Sequence, residues 1–332
     1  MKHYLIRLII RIVLLCIPFF ALLFLYFKED PFMVLRKYNN YDSSVVLNEG
    51  TVGWNMYKNN KDSIHYNSFI MGNSCTMAFQ CAEWEKYLNN GKAFRLFGNA
   101  EAIIAVYKKL LALEKEKAEI KNVLLILDRK TLLKVHLQSG YCNILPPEIS
   151  GTSYASYQMA FVQSFFTPEI LLPYLRYKIT GHYVSSMNGV INPYGRVRNP
   201  ENNDALNPRE KMIMEEGEQY WINRKSEFPN RKGIEVAKAV IFTPQKDVLR
   251  NIASLFQKHG TSIKIILSPD YKQEKINPKD VQFLEELFGR QNVFDFTGIN
   301  EYTADIHNYY EVGHYRPILG CKLLERVYKK NN

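Results

Sequence analysis

Five short apolar runs, most of them separated by segments with helical apolar spacing, restrict this chain to an α/β fold. Tyr66 to Met71, Ala93 to Phe97 and Val123 to Leu127 each read as a buried strand ended by a turn signal. Met77, Ala78, Cys81, Trp84 and Leu88 predict a helix after the first strand, closed by Asn89-Asn90-Gly91. Ile103, Ile104, Tyr107, Leu110 and Leu111 share one face of a helix from Ala100 to about Lys117. The alternation resumes with a helix from about Gln245 to His259, a strand from Ser262 to Leu267 and a helix from Pro278 to Phe288. A strand from Asn292 to Phe296 and a helix from Pro317 to Tyr328 complete it. Such alternation predicts a mostly parallel sheet in three layers, with ligands beyond the carboxyl ends of the strands. Those ends are Gly72-Asn73-Ser74, Gly98-Asn99, Asp128-Arg129, Ser268-Pro269-Asp270 and Thr297-Gly298.

With 332 residues, 46% hydrophobic and 23% charged, the chain is too apolar to be disordered and long enough to bury a full core. No Pro/Gly/Ser-rich linker or internal repeat divides it, so one domain plus an anchor is the expectation: anchor at 1–30, irregular lead at 31–63, one α/β domain at 64–332. The pattern breaks between about 130 and 235. This insertion is first aromatic, with Tyr154, Tyr157, Phe161, Phe165, Phe166, Tyr174 and Tyr177, then polar and rich in Pro and Asn. Met159 to Ile179 predicts two helices broken around Pro168 and Pro173, with packing on the sheet as core or lid favoured over the alternative of a membrane-surface role. Asn192 to Pro208 is expected to be a flexible loop over the site.

The run from Ile12 to Phe27 holds 16 uncharged, almost wholly apolar residues. It is slightly short for a hydrocarbon core of ~30 Å, but Arg7 and Arg11 can snorkel, which lets a spanning helix begin near Tyr4. Phe-Lys-Glu-Asp-Pro follows in place of a small-residue cleavage site, so an uncleaved signal anchor is expected rather than a signal peptide. Lys2, Arg7 and Arg11 keep the N-terminus cytoplasmic and place the chain after Lys28 outside.

The formal charge of +10 is spread along the chain with no nucleic-acid motif beside it, so nucleic acid is not the expected partner. The cytoplasmic membrane is one, and an anionic surface polymer or lipid headgroups would be drawn to such a surface, although a simple solvated basic face explains the charge equally well. The five cysteines (Cys16, Cys75, Cys81, Cys142 and Cys321) show neither a C-x-x-C pair nor a Cys/His metal spacing, and Cys75 and Cys81 read as small buried residues. No metal or other cofactor is expected.

Ser74 stands where a strand turns into a helix, a position that exposes a hydroxyl beside free backbone N–H groups. A serine hydroxyl is a weak nucleophile until a base takes its proton. Glu311 and His314, three residues apart just before the last helix, supply a carboxylate and an imidazole to the same sheet edge. Asp305 and His307 form a rival acid–base pair, which the spacing disfavours. His65, His136, His182 and His259 lack a partner pattern.

With an early Gly72-Asn73-Ser74 and a late Glu311-x-x-His314, the chain resembles the SGNH/GDSL hydrolase superfamily over roughly residues 64–130 and 240–330. It is most similar to the membrane-anchored branch that includes alginate O-acetylation and teichoic-acid D-alanylation proteins. The resemblance implies a flavodoxin-like sheet, Ser74 as nucleophile, His314 as base and Glu311 in the place usually held by Asp. It further implies a polysaccharide substrate and a membrane-bound acyl-transfer partner. Two departures stand out. The first block has Asn73 where the family has Asp, and the block that supplies an oxyanion Asn reads Leu127-Asp128-Arg129. An ionised carboxylate cannot donate, so the oxyanion hole is expected from the Ser74 and Gly98 N–H groups, with the Asn99 side chain as replacement donor. Asn73, Asp128, Arg129 and Arg316 are expected to line the cleft, although Asp128 and Arg129 could equally form a buried ion pair. The implied activity is that of a serine esterase or O-acyltransferase; the alternative is an inactive relative that binds glycan or assembles an export complex.

Overall fold

The structure, a computed structural model, describes residues 2–195, 197–231 and 233–329. Its centre is a five-stranded parallel sheet of β1 (Ser68–Gly72), β2 (Ala93–Phe97), β3 (Asn122–Leu127), β4 (Ser262–Leu267) and β5 (Val293–Asp295), in the order β2-β1-β3-β4-β5. This is the flavodoxin-like order of doubly wound sheets, in which the strand sequence reverses between β1 and β3. Side chains alternate between two cores. Phe69, Met71, Val123 and Leu125 face one; Ile70, Leu124 and Ile126 face the other.

The first core is covered by α2 (Glu49–Ile64), α3 (Ile103–Lys115), α9 (Thr243–His259) and α10 (Pro278–Phe288), and the second by α11 (Pro317–Tyr328). Both faces are therefore dry, as the near-continuous apolar strands require. Helix α1 (Lys2–Glu29) precedes this body, and from Tyr4 to Glu29 it is long and apolar enough to cross a membrane.

Three expectations fail, each for a physical reason. The lead segment is not irregular: α2 begins at Asn48, whose side chain accepts from the Thr51 N–H, and it buries Val52, Trp54, Met56 and Tyr57 against β2. Its polar second half, Lys58 to Asp62, hid the helical period. The segment after β1 is not one helix but a 3-10 turn, Ser74–Ala78, followed by a short helix, Cys81–Glu85. The Cys81 N–H that would extend the turn is instead given to Asp204 Oδ2 at 2.9 Å, and the Phe79 carbonyl accepts a hydrogen bond of 2.7 Å from Arg95 Nη2.

The insertion supplies the third failure. Its helices α5 (Tyr154–Phe165) and α6 (Pro168–Thr180) break at Thr167 as expected, yet Pro173 lies inside α6 without ending it. Both pack on α1 and the lead, with Tyr26, Phe32, Phe161 and Phe165 in one cluster, rather than on the sheet. The stretch 198–205 is no free loop either. Arg95 N donates to Asn202 O (3.0 Å), Asn203 Nδ2 donates to Arg95 O (2.8 Å), and Arg198 pairs with both Glu49 oxygens at 2.7 Å. The cause is Arg95 itself, a fully buried cation in the edge strand β2, which requires Asp204 (2.5 Å) and the carbonyls of Phe79 and Ala205. Helices α7 (Arg209–Glu216) and α8 (Gln219–Asn223) complete the insertion.

Candidate active site

Gly72 ends β1 at φ +135°, and any Cβ there would run into the carbonyl of Ile126 on the neighbouring strand β3. Only glycine lets the chain turn sharply enough at this close approach to lift the next residues above the sheet. Asn73 fixes the turn: its Oδ1 accepts from the Cys75 N–H (2.9 Å), and its Nδ2 donates to Asp128 Oδ2 (2.9 Å) and Thr131 Oγ1 (3.1 Å). Asp128 Oδ1 in turn caps α4 (Arg129–Leu133) by accepting from the Thr131 N–H at 2.6 Å. The Asn73–Asp128 link thus ties the ends of β1 and β3 together at the point where the strand order reverses.

Ser74 Oγ lies 2.6 Å from His314 Nε2. The imidazole comes from the other end of the chain on a tight antiparallel hairpin of β6 (Tyr309–Glu311) and β7 (His314–Tyr315), in which Glu311 and His314 are directly opposed. Glu-x-x-His is thereby read as a cross-strand pair over a Val312-Gly313 turn. Glu311 Oε1 is hydrogen-bonded to His314 Nδ1, and Glu311 Oε2 accepts from the Gly313 N–H at 2.8 Å. A carboxylate only accepts, so Nδ1 carries the ring proton and Nε2 presents its lone pair to the serine hydroxyl. Burial pushes the Glu311 carboxyl up, but the His314 and Gly313 hydrogen bonds outweigh it and leave it below the usual carboxylate range.

The hairpin is held from both sides. Cys75 Sγ donates to Gly313 O (3.4 Å), and the Tyr315 hydroxyl meets Ser268 Oγ at the end of β4 (3.3 Å). The insertion clamps the outer side: Tyr220 OH donates to Tyr310 O (2.7 Å), Trp221 Nε1 to Tyr309 O (3.0 Å) and Arg209 Nη1 to Tyr310 O (3.3 Å). None of these insertion residues carried a signal in the sequence. Arg95 did, as a charge inside an apolar strand.

Several expected cleft residues have other duties. Arg316, expected to line the cleft, pairs with Glu210 (2.6 Å), donates to His307 O (3.0 Å) and lies over the Trp221 ring, completing the clamp. Although burial pushes Glu210 up, its bonds to Arg316 and Tyr310 hold it below the usual range. Arg129 Nε donates to Lys238 O (3.2 Å) while Asp128 caps its helix, so these two neighbours serve different partners. Of the expected oxyanion donors, the Gly98 N–H is given to Gly72 O (3.2 Å), extending the β1–β2 ladder. Asn99 Nδ2 donates to Leu47 O and Cys142 O, both at 3.1 Å, and so faces the lead and the insertion. Ser74 itself is the member of that set whose N–H no described acceptor takes. Asp305 and His307 do pair, at 2.7 Å, but the other ring nitrogen of His307 meets Glu218 at 3.0 Å. That imidazole is bracketed on the surface by carboxylates, one at each ring nitrogen.

Fold and side chains together define a class: a parallel α/β protein with a flavodoxin-like strand order that carries a connected Ser–His–Glu set at its β1/β3 switch point. No protein-family model matches the chain, and no curated protein matches it in sequence.

Proposed function

We propose that the chain is a membrane-anchored serine esterase or O-acyltransferase of the SGNH type, acting on a cell-surface or exported polysaccharide through an acyl-Ser74 intermediate. The observation that carries this reading is the 2.6 Å approach of Ser74 Oγ to His314 Nε2, with Glu311 on the opposite ring nitrogen. Ser74 Oγ attacks the carbonyl carbon of an ester while His314 Nε2 takes its proton; Glu311 stabilises the imidazolium. The tetrahedral oxyanion collapses, the C–O bond to the leaving alcohol breaks, and His314 returns the proton to that alcohol. Water then resolves the acyl-enzyme in an esterase, and a sugar hydroxyl does so in a transferase.

The resemblance expects a carboxylate before the serine and an amide after the third strand. Here the two chemical types are exchanged, Asn73 and Asp128, and joined by a 2.9 Å hydrogen bond. The exchange keeps the support for Ser74 and removes a side-chain oxyanion donor. With Gly98 and Asn99 committed elsewhere, the backbone N–H of Ser74 is left as the main donor at the start of the turn. That same shortage of donors favours the second reading, an inactive glycan-binding or assembly protein.

A fluorophosphonate probe separates the two. The esterase reading expects covalent labelling that Ser74→Ala abolishes and His314→Ala reduces at least about a hundredfold, with the fold retained by circular dichroism. A well-folded parent chain that resists the probe supports the inactive reading.

A further inference from the structure

We infer that the helical hairpin α5–α6 is a second membrane element, seated in the outer leaflet beside α1 with lipid acyl chains covering its outer face. The proposal rests on α1 being a bilayer-spanning helix and is independent of the serine chemistry.

The geometry starts from α1. The Phe19 ring lies 5.1 Å from that of Phe166, and Tyr26 lies 5.2 Å from Phe165, while Lys178 is paired with Glu29. Helix α5 therefore descends along α1 from the lead toward Phe166, and α6 returns to the level of Glu29. Phe19 precedes Phe27, the last residue of the apolar run, by eight positions. At about 1.5 Å per residue, the tip of the hairpin reaches roughly 12 Å below that level, which is inside the hydrocarbon layer if α1 spans it.

The side chains suit that depth. Along the hairpin, Met159 and Leu172 are 52% and 63% exposed, and Val162, Phe166, Leu171 and Leu175 are half-buried. In water such a face would be an unexplained apolar patch. It is continuous with the exposed apolar surface of α1, from Leu5 to Phe27, which lipid covers where α1 spans the bilayer. Arg176 and Lys178 stand at the upper end, level with the headgroups, where cations meet anionic lipid. Glu169 is the acidic residue at the tip; it occupies the first turn of α6, where unpaired helix N–H groups favour a carboxyl. A charged helix end deep in lipid would normally count against insertion, so this residue makes the test a demanding one.

The full chain is reconstituted into phosphatidylcholine/phosphatidylglycerol vesicles after Cys16, Cys142 and Cys321 are changed to Ser, and an environment-sensitive NBD label is placed by Leu172→Cys, Met159→Cys, Val13→Cys or Met214→Cys. Met214 is 80% exposed on α7, outside the cluster that joins α1 to the hairpin, and serves as the aqueous reference. The proposal expects labels at 159, 172 and 13 to be quenched by doxyl lipids and to show a several-fold smaller iodide quenching constant than the label at 214. Iodide quenching at 172 equal to that at 214, with 13 protected, overturns it. Protection from both quenchers at 159 and 172 also overturns it, because a second protein surface rather than lipid then covers the hairpin. An exposed label at 13 refutes the spanning helix on which it rests.

Discussion

Gly320 sits in the middle of α11, where sequence rules make glycine a liability: Ala would be better by about 1 kcal/mol. The structure reverses the sign. A Cβ at this position would lie 2.7 Å from the carbonyl carbon of Ala78 and nearer still to its oxygen. An ordinary carbon–carbon separation is about 3.5 Å, so α11 must retreat by about 0.8 Å or more from the turn that carries Ser74. Neither partner is a flexible side chain that could step aside. Overpacking of this kind costs about 1–3 kcal/mol and more against backbone; taking about 3 and subtracting the propensity gain leaves Gly320→Ala destabilised by about 2 kcal/mol. At about 2 °C per kcal/mol for a domain of this size, the midpoint falls by about 4 °C. The displacement matters more for the site. Helix α11 begins at Pro317, three residues after His314, and adding about 0.8–1 Å to the 2.6 Å Ser74–His314 approach carries it to about the hydrogen-bond limit or beyond. A misplacement of about 1 Å can lower a rate about a hundredfold, so fluorophosphonate labelling should slow far more than stability falls. Tryptophan fluorescence follows the unfolding well, because Trp84 Nε1 donates to Tyr328 OH at the end of α11 (2.7 Å). A midpoint equal to or above the parent's, with unchanged labelling, refutes the argument.

Glu311→Gln should leave the fold intact and reduce probe labelling or ester turnover by about 10²- to 10⁴-fold, because the amide no longer holds the Nδ1-protonated tautomer; a loss under about threefold removes Glu311 from the set. Asp204→Ala strands the fully buried Arg95 and should cost about 3–5 kcal/mol. A denaturant midpoint indistinguishable from the parent's would mean that the Phe79 and Ala205 carbonyls suffice. For His307, burial pushes the imidazole down, but Asp305 and Glu218 outweigh it and raise it above the usual 6.5. A raised folded pKa contributes stability that is fully present below about pH 6.5 and lost as pH rises through the folded value. The gap between parent and His307→Ala midpoints should therefore shrink as pH rises above about 6.5, and a gap that widens with pH contradicts the assignment.

The alternation of strand and helix was legible because buried parallel strands are uniformly apolar and their covering helices carry a 3.6-residue stripe. The strands Ala93–Phe97 and Ser262–Leu267 and the helices Pro278–Phe288 and Pro317–Tyr328 sit where those local patterns put them. So does the apolar N-terminal helix. The Ser74, His314 and Glu311 set was legible as residue types at turns after a strand and before a helix. Their meeting was not, since 240 residues separate the serine from the imidazole and only the sheet order brings the two ends of the chain to one edge.

What the tertiary structure alone decided is who holds what. Helix α2 is stabilised by the β2 face it covers rather than by its own weak amphipathicity, and beyond the 3-10 turn at Ser74 the Cys81 N–H goes to the distant Asp204 rather than back to the turn. Gly98 and Asn99 looked free in the sequence, yet their donors are spent on Gly72, Leu47 and Cys142. The insertion, which carried almost no local signal, became the clamp on the Glu311–His314 hairpin and the companion of α1. Hydrogen-bond satisfaction and apolar burial are settled by whichever groups the fold brings within a few ångströms, and a sequence fixes its local periods before it reveals those neighbours.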